Sequence, residues 1–263
     1  MARALILTYH AVEAGRPPLC VDPALFEAHA DAIAESGARS LTVRELAAEL
    51  SAGDLQGTIV VMTFDDGFAS VAETATPILR ERGLAATVFC VGGHLGGTSD
   101  WPSARNGSHR SRLASASVLI DLARAGFEIG SHGSEHAPLA GAPDSLLRNE
   151  VSGSRRELED AVGAPVTSYA YPYGAMPWTL GRALVAETYD AACTTVLHRV
   201  SGTSDPHALP RIDAHYLLKP ELLQRALDGR LGAYFLARRL AARARRTVRK
   251  DYATRPTVTS LSE

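Results

Sequence analysis

The stretch GTIVVMTFDDG, residues 57–67, decides the fold expected of this chain. Its apolar centre is typical of a buried strand. Two adjacent carboxylates, Asp65 and Asp66, stand at the carboxyl end of that predicted strand. A turn is the alternative interpretation, because Asp-Asp-Gly is favourable turn chemistry.

Strand-like and helix-like segments alternate on both sides of this stretch. Before it come the strand-like ALILTYH (4–10) and the helix-like PALFEAHADAIAESG (23–37). After it come the helix-like VAETATPILRERG (71–83) and the strand-like AATVFCVGG (85–93). This alternation predicts a parallel sheet with helical crossovers. At 263 residues, a barrel-like (β/α) arrangement is favoured over an open sheet.

A second polar stretch, GSHGSEH, carries His132 and His136 at the end of another short predicted strand. Active sites of (β/α) barrels form at the carboxyl ends of the strands. We therefore expect these histidines to meet Asp65, Asp66 and His10. Two imidazoles and one carboxylate are a usual ligand set for a catalytic divalent ion. Because successive strand side chains point in different directions, one aspartate can bind metal while its neighbour acts as a base.

The motifs TFDDGF, EIGSHGSEHAPL and YAYPYG, in this order and spacing, resemble those of the polysaccharide deacetylase superfamily, carbohydrate esterase family 4 with its NodB-homology domain. The resemblance covers residues 4–215. It implies a distorted (β/α) barrel with fewer than eight complete repeats, and metal-dependent removal of acetyl groups from sugars. It also implies Asp65 as the general base, Asp66, His132 and His136 as metal ligands, and the backbone N–H of Tyr173 as an oxyanion donor.

Three departures from the common family pattern point to one branch of the superfamily. Gly133 stands where Ser or Thr is usual, Ala170 stands where an arginine usually orients the base, and no late Leu-x-x-His motif is evident. These features resemble the circularly permuted poly-N-acetylglucosamine and exopolysaccharide-associated deacetylases, whose acid histidine lies in an N-terminal YH-x-V motif. The segment TYHAV then implies His10 as the general acid, and ALPRI implies Arg211 as the missing positive charge.

Three further residues are candidates for substrate binding. Trp101 is suited to stacking on a sugar face, although packing of the long loop around it is an equal alternative. His94 follows a predicted strand and is expected either in the substrate groove or as a simple loop residue. For Tyr171 packing inside the barrel is the preferred alternative.

Composition limits the partners and cofactors. The net charge of −2 gives no bias toward nucleic acid, and three scattered cysteines suit neither a disulfide framework nor a thiolate zinc site. The expected cofactor is one divalent ion, with Zn²⁺ ahead of Co²⁺, Ni²⁺ or Mn²⁺, and the expected substrate is an N-acetylated sugar or glycoside. Two alternatives stay open, a metal-dependent amidohydrolase or lyase acting on a non-sugar metabolite and a carbohydrate-binding pseudoenzyme.

The C-terminal part differs in charge from the rest. We predict a catalytic domain over residues 1–229, and a basic helix with a disordered tail over residues 230–263. Residues 230–255 hold nine Lys or Arg and one acidic residue, Asp251. This segment suits contact with an anionic membrane or a glycosyltransferase, or else a solvated helix. The chain shows no signal-peptide pattern and no membrane-length apolar run, so a cytoplasmic location is expected. The sequence does not predict an oligomeric state.

Overall fold

The structure, a computed structural model, describes residues 3–101, 110–176 and 180–248. The strands are β1 (Arg3–Tyr9), β2 (Ala11–Val12), β3 (Cys20–Val21), β4 (Arg39–Leu41), β5 (Thr58–Phe64), β6 (Ala86–Cys90), β7 (Glu128–Ser131), β8 (Ser168–Ala170), β9 (Ala191–Cys193) and β10 (Ile212–Asp213). The α-helices are α1 (Pro23–Glu35), α2 (Val43–Ala52), α3 (Thr76–Glu81), α4 (Ala116–Arg124), α5 (Asp144–Arg148), α6 (Ser154–Val162), α7 (Leu180–Thr188), α8 (Pro220–Leu227) and α9 (Gly232–Val248). π-helical turns at Val71–Ala75 and Asn149–Gly153 precede α3 and α6.

Within the described part of the chain, eight strands form one curled parallel sheet in the order β10-β1-β5-β6-β7-β8-β9, with β4 also paired to β5. β1 and β5 pair along their whole length, from Arg3↔Thr58 to Tyr9↔Phe64. Leu209 bonds to β9 through Ala192 O and Thr194 N, while β10 just after it pairs with β1. This segment joins the two ends of the sheet, and the prediction of a distorted (β/α) barrel is confirmed.

The strands and helices form where sequence and packing agree. The side chains of β5 are almost all buried on both faces, as its apolar sequence predicts. α1 begins after Asp22, whose carboxylate accepts a hydrogen bond from Ala24 N, and Pro23 occupies its first turn. The sequence analysis did not predict β4 or α2. α2 begins with a capping box in which Thr42 and Glu45 bond to each other's backbone N–H.

The C-terminal helices pack on α1 and on the apolar core. α8 lies against α1, and Phe235 in the first turn of α9 is buried in the same apolar core. The predicted boundary at residue 229 stays a prediction, and the predicted disordered tail lies outside the described residues. No helix in the described part of the chain is long and apolar enough to span a bilayer.

Candidate active site

One pocket opens at the carboxyl ends of the strands and brings the predicted residues together. His10 follows β1, the two aspartates follow β5 and the two histidines follow β7. All five line this pocket, together with Tyr171, Tyr173 and Arg211. Parallel strands end at the same edge of the sheet, and for that reason residues far apart in sequence meet here.

Asp66, His132 and His136 form a compact cluster of possible metal ligands. One ligand atom from each lies within 4.8 Å of the others, and all three side chains are buried. The Nε2 atoms of His132 and His136 lie 3.5 Å and 3.3 Å from Asp66 Oδ1. No hydrogen bond of good geometry satisfies this buried oxygen among the described residues.

Hydrogen bonds fix the orientation of both imidazoles. His132 Nδ1 lies 2.8 Å from the carbonyl oxygen of Ala170, so Nδ1 must donate and Nε2 carries the lone pair in the neutral ring. His136 Nδ1 lies 3.1 Å from the hydroxyl of Tyr173. Burial is the largest influence on His132 and lowers its pKa to about 4, so this ring is neutral near neutral pH. Two imidazoles with Nε2 directed at a carboxylate are a donor set that suits zinc.

The carboxylate of Asp65 pairs with Arg211 and does not belong to the cluster of Asp66, His132 and His136. Arg211 Nη1 and Nη2 donate hydrogen bonds of 2.7 Å to the two carboxylate oxygens of Asp65. Arg211 is buried and is further held by bonds to Thr194 O and Thr63 Oγ1. Burial opposes ionisation of Asp65, but the charge and hydrogen bonds of Arg211 outweigh it and hold the pKa below its usual range. Arg211 thus supplies a positive charge to Asp65, and its replacement of the arginine missing at Ala170 stays a prediction.

His10 and His215 differ in their relation to the pocket. His10 is half-buried and lines the pocket, and its buried Nδ1 has no hydrogen-bond partner among the described residues. His215 does not line the pocket. Its Nδ1 lies 2.9 Å from Asp213 Oδ1, and its ring packs on Tyr216 with the ring centroids 3.8 Å apart. The structure thus places His10, and not His215, in the pocket that contains Asp66, His132 and His136.

Backbone strain is concentrated in this pocket. Three non-glycine residues in the described part of the chain have a positive φ: Asp66 (71°), His136 (52°) and Tyr173 (58°). Such conformations cost energy for residues with a Cβ, most of all for large side chains, and they gather at functional sites.

The three substrate-binding candidates have different surroundings. Trp101 is buried, and its ring centroid lies 4.5 Å from that of His136 and 5.9 Å from that of His94. This environment agrees with the alternative that Trp101 serves packing. His94 does not line the pocket and pairs with Glu135 at 3.0 Å. Tyr171 lines the pocket but is buried, and its hydroxyl donates to His207 O. A substrate role for these residues stays a prediction.

Glu150 is a site residue that the sequence analysis missed. This fully buried carboxylate accepts hydrogen bonds from the backbone N–H of Glu135 (2.9 Å) and of Ala137 (3.1 Å), on either side of His136. It also explains Gly133, which has φ +87° and where a Cβ would overlap Glu150 Oε2. Burial raises the pKa of Glu150 despite these bonds. No signal in the sequence indicated this role, because Glu150 lies in the helical turn Asn149–Gly153 of a polar segment, where an acidic residue normally faces solvent.

A family model described as polysaccharide deacetylase matches residues 52–192, which is more than half of the chain. The chain belongs to the polysaccharide deacetylase family. The predicted resemblance is confirmed. The matched range contains the two aspartates, the two histidines and Tyr173, whereas His10 and Arg211 lie on opposite sides of it.

Similar proteins agree with this assignment. YxkH of Bacillus subtilis (strain 168), which is named as a polysaccharide deacetylase, is 26% identical over 212 residues, 80% of this chain and 71% of YxkH. The Streptococcus pyogenes deacetylase PplD in complex with acetate has a similar structure, with a TM-score of 0.70 and 24% identity over 84% of this chain and 97% of PplD. IcaB from Ammonifex degensii gives a TM-score of 0.71 at 19% identity, over 87% of this chain and 97% of IcaB. These two solved structures show that the fold is shared.

Proposed function

We propose that this protein is a metal-dependent hydrolase that removes the acetyl group from an N-acetylated amino sugar or glycoside. The observation that carries the proposal is one pocket that joins a buried Asp-His-His cluster to a carboxylate held by an arginine. Membership of the family supports deacetylation. PplD binds acetate, the acid that such a reaction releases, and this adds support.

The donor set fits one divalent ion, with zinc as the first choice. Asp66, His132 and His136 would hold it through one oxygen and two nitrogens, leaving further positions open. A bound ion of this kind polarises the acetyl carbonyl and lowers the pKa of a coordinated water to about 7. The buried Asp66 oxygen without a well-formed hydrogen bond is the feature of the structure that such an ion would satisfy.

Asp65 is the proposed general base, and Arg211 is its positioning residue. The bidentate hydrogen bonds from Arg211 fix the plane of the Asp65 carboxylate and keep it ionised. Asp65 can then accept the proton of the attacking water. The backbone N–H of Tyr173 is the proposed donor to the oxygen that gains negative charge, and removal of one such donor typically costs about 2.7–4 kcal/mol.

His10 is the proposed general acid. An amine leaves poorly unless it is protonated, and the imidazole of a histidine is a common donor of such a proton. The position of His10 in the pocket, at the end of β1, allows this from the N-terminal side of the chain.

The two alternative functions have less support. The pseudoenzyme interpretation has to explain why the ligand cluster and the Arg211–Asp65 pair are both intact. A lyase or amidohydrolase acting on a non-sugar metabolite keeps the same chemistry but lacks the support of the family. A cytoplasmic location stays a proposal, and it would favour a small or lipid-linked glycoside as the substrate. The family, by contrast, favours acetylated polymers as substrates.

A panel of N-acetylated glycosides, lipid-linked sugars and oligosaccharides tests the proposal by mass spectrometry. We expect at least one compound to lose mass as acetyl is replaced by hydrogen, with one acetate released per event. Chelation should stop the reaction and added zinc should restore it. The matched control is Asp65→Asn, which should release no acetate. Absence of turnover across the panel with metal-loaded protein would favour the pseudoenzyme.

A further inference from the structure

The helix α9 (Gly232–Val248) has two different sides in its first turns. On one side Phe235 is 4% exposed and joins the core, and the Tyr234 hydroxyl donates to Tyr216 O at 3.0 Å. On the other side Leu236 and Leu240 are 53% and 59% exposed. Residues four apart in a helix lie on the same face, so these two leucines form one exposed apolar strip.

The charge of α9 has one sign. Its sequence contains five arginines and no acidic residue. The arginines are Arg238, Arg239, Arg243, Arg245 and Arg246. Arg239 follows Leu236 by three positions, so it flanks the apolar strip, and residues 236–241 are all exposed. Exposed leucines flanked by arginines on one helix are typical of a segment that lies in the interface of a membrane.

The start of α9 lies at the rim of the active-site pocket. Tyr216 lines that pocket. The guanidinium of Arg238 lies 5.4 Å from the centroid of the Tyr216 ring, and Arg238 Nε donates to Tyr234 Oη at 3.2 Å. The side of α9 that contacts this pocket residue is therefore the side of Tyr234 and Arg238, and the strip of Leu236 and Leu240 lies on the opposite, exposed side of the helix.

We propose that α9 docks this protein on a membrane that contains anionic lipid, through the exposed strip of Leu236 and Leu240 and the arginines beside it. Arginines favour phosphate groups, and exposed leucines favour an apolar medium. The boundary between headgroups and acyl chains offers both, whereas a glycan or free phosphate offers no apolar layer. This inference goes beyond the proposed function and does not depend on it.

Co-sedimentation of the full chain with vesicles tests the proposal. We expect binding to vesicles of equal parts phosphatidylcholine and phosphatidylglycerol, and much weaker binding to phosphatidylcholine alone. Arg239→Glu should weaken binding at least about fivefold, since each basic residue near an anionic surface contributes roughly that factor. The matched control is Arg124→Glu on α4, which packs against α6 and β7 away from α9. It has the same charge change on an exposed side chain and should bind as the wild type does.

A fluorescent label tests insertion directly. The three native cysteines are buried, so an introduced thiol can be labelled selectively. A polarity-sensitive dye at Leu240→Cys should shift to the blue with anionic vesicles, while the same dye at Arg124→Cys should not. Leu236→Ser tests the apolar contribution without a label and should reduce binding. Equal binding to both vesicle types, or equal losses in the Arg239→Glu and Arg124→Glu variants, would overturn the proposal. Vesicle binding without a dye shift would mean that charge alone attracts α9 to the lipid, with no insertion of the leucines, and would also overturn the proposal.

Discussion

Arg211 binds both carboxylate oxygens of Asp65 at 2.7 Å although 146 residues separate them. The arginine precedes β10 and the aspartate follows β5, on either side of β1 in the sheet. The pair is buried, so each charge depends on the other for compensation. One contact thus joins the segment that closes the barrel to the proposed catalytic base.

Removing Arg211 should affect activity and stability together. Arg211→Met leaves a buried carboxylate without its partner, and breaking such a pair typically costs about 3–5 kcal/mol. A base that loses its orientation should also lower turnover by about 10²-fold. Urea unfolding and acetate release measure the two effects. Arg211→Lys keeps the positive charge but cannot make the bidentate contact, so it should retain only part of the wild-type activity.

The double variant Asp65→Asn/Arg211→Met is the matched control for this pair. It removes both buried charges, so it should be more stable than Arg211→Met alone while staying inactive. If the double variant is no more stable than Arg211→Met, the loss comes from packing of the arginine and not from the unpaired carboxylate.

Substitution of a residue in the cluster of Asp66, His132 and His136 should lower the metal content of the protein. Elemental analysis of protein purified without chelator should find close to one equivalent of a divalent ion, and His132→Ala should lose most of it. Asp65→Asn should keep its ion, because Asp65 bonds to Arg211 and stands outside the cluster. His94→Gln is the control histidine outside the cluster. If Asp65→Asn loses metal while Asp66→Asn retains it, the roles of the two aspartates are exchanged.

Glu150 is predicted to position His136. Glu150→Gln replaces one carboxylate oxygen by an NH2 group, which cannot accept a hydrogen bond from a backbone N–H, and this leaves a buried group unsatisfied at a cost of about 1–3 kcal/mol. We expect weaker zinc affinity in competition with a chromophoric chelator, besides a lower unfolding midpoint. Glu135→Gln is the exposed control, because only its backbone N–H bonds to Glu150. Unchanged zinc affinity in Glu150→Gln would limit Glu150 to a structural role.

The sequence predicted the parts of this site that depend on strand ends. Apolar runs mark β1 and β5, β7 was predicted as a short strand, and polar residues directly after these strands must meet in a parallel barrel. Glu150 was not predictable, because its burial depends on how the π-helical turn packs against the loop of Gly133 and His136. Helix α2 was missed although its sequence carries two signals, the Thr42-x-x-Glu45 capping box and buried apolar residues Val43, Leu46 and Ala47 at helical spacing. Only the burial of Glu150 arises from contacts and not from a sequence pattern.

His29 predicts a pH dependence of stability. It is buried between Tyr9 and the carbonyl of Leu217, and burial lowers its pKa although the carbonyl opposes the shift. Below about pH 6.5 the unfolded chain binds a proton that the folded chain excludes, so the free energy of unfolding should fall as the pH drops. His29→Gln should be less stable at neutral pH but lose less on acidification, measured by urea midpoints with chelator present. The exposed control His198→Gln should follow the wild type. An equal loss on acidification in His29→Gln and wild type would contradict this account.

His10 is predicted to be the general acid, and His215 is its natural comparison. His10 lines the pocket, whereas His215 lies outside its lining, with its ring packed on Tyr216 and its Nδ1 2.9 Å from Asp213 Oδ1. His10→Ala should lower turnover of an acetamide by about 10²–10⁴-fold with metal content unchanged. The loss should be smaller for an activated acetyl ester, because its leaving group departs without a proton. His215→Ala should do much less on both substrates. Two outcomes would contradict this role: a larger loss of turnover in His215→Ala than in His10→Ala, or equal losses of amide and ester turnover in His10→Ala. In either case the proton comes from another group and the role of His10 is structural.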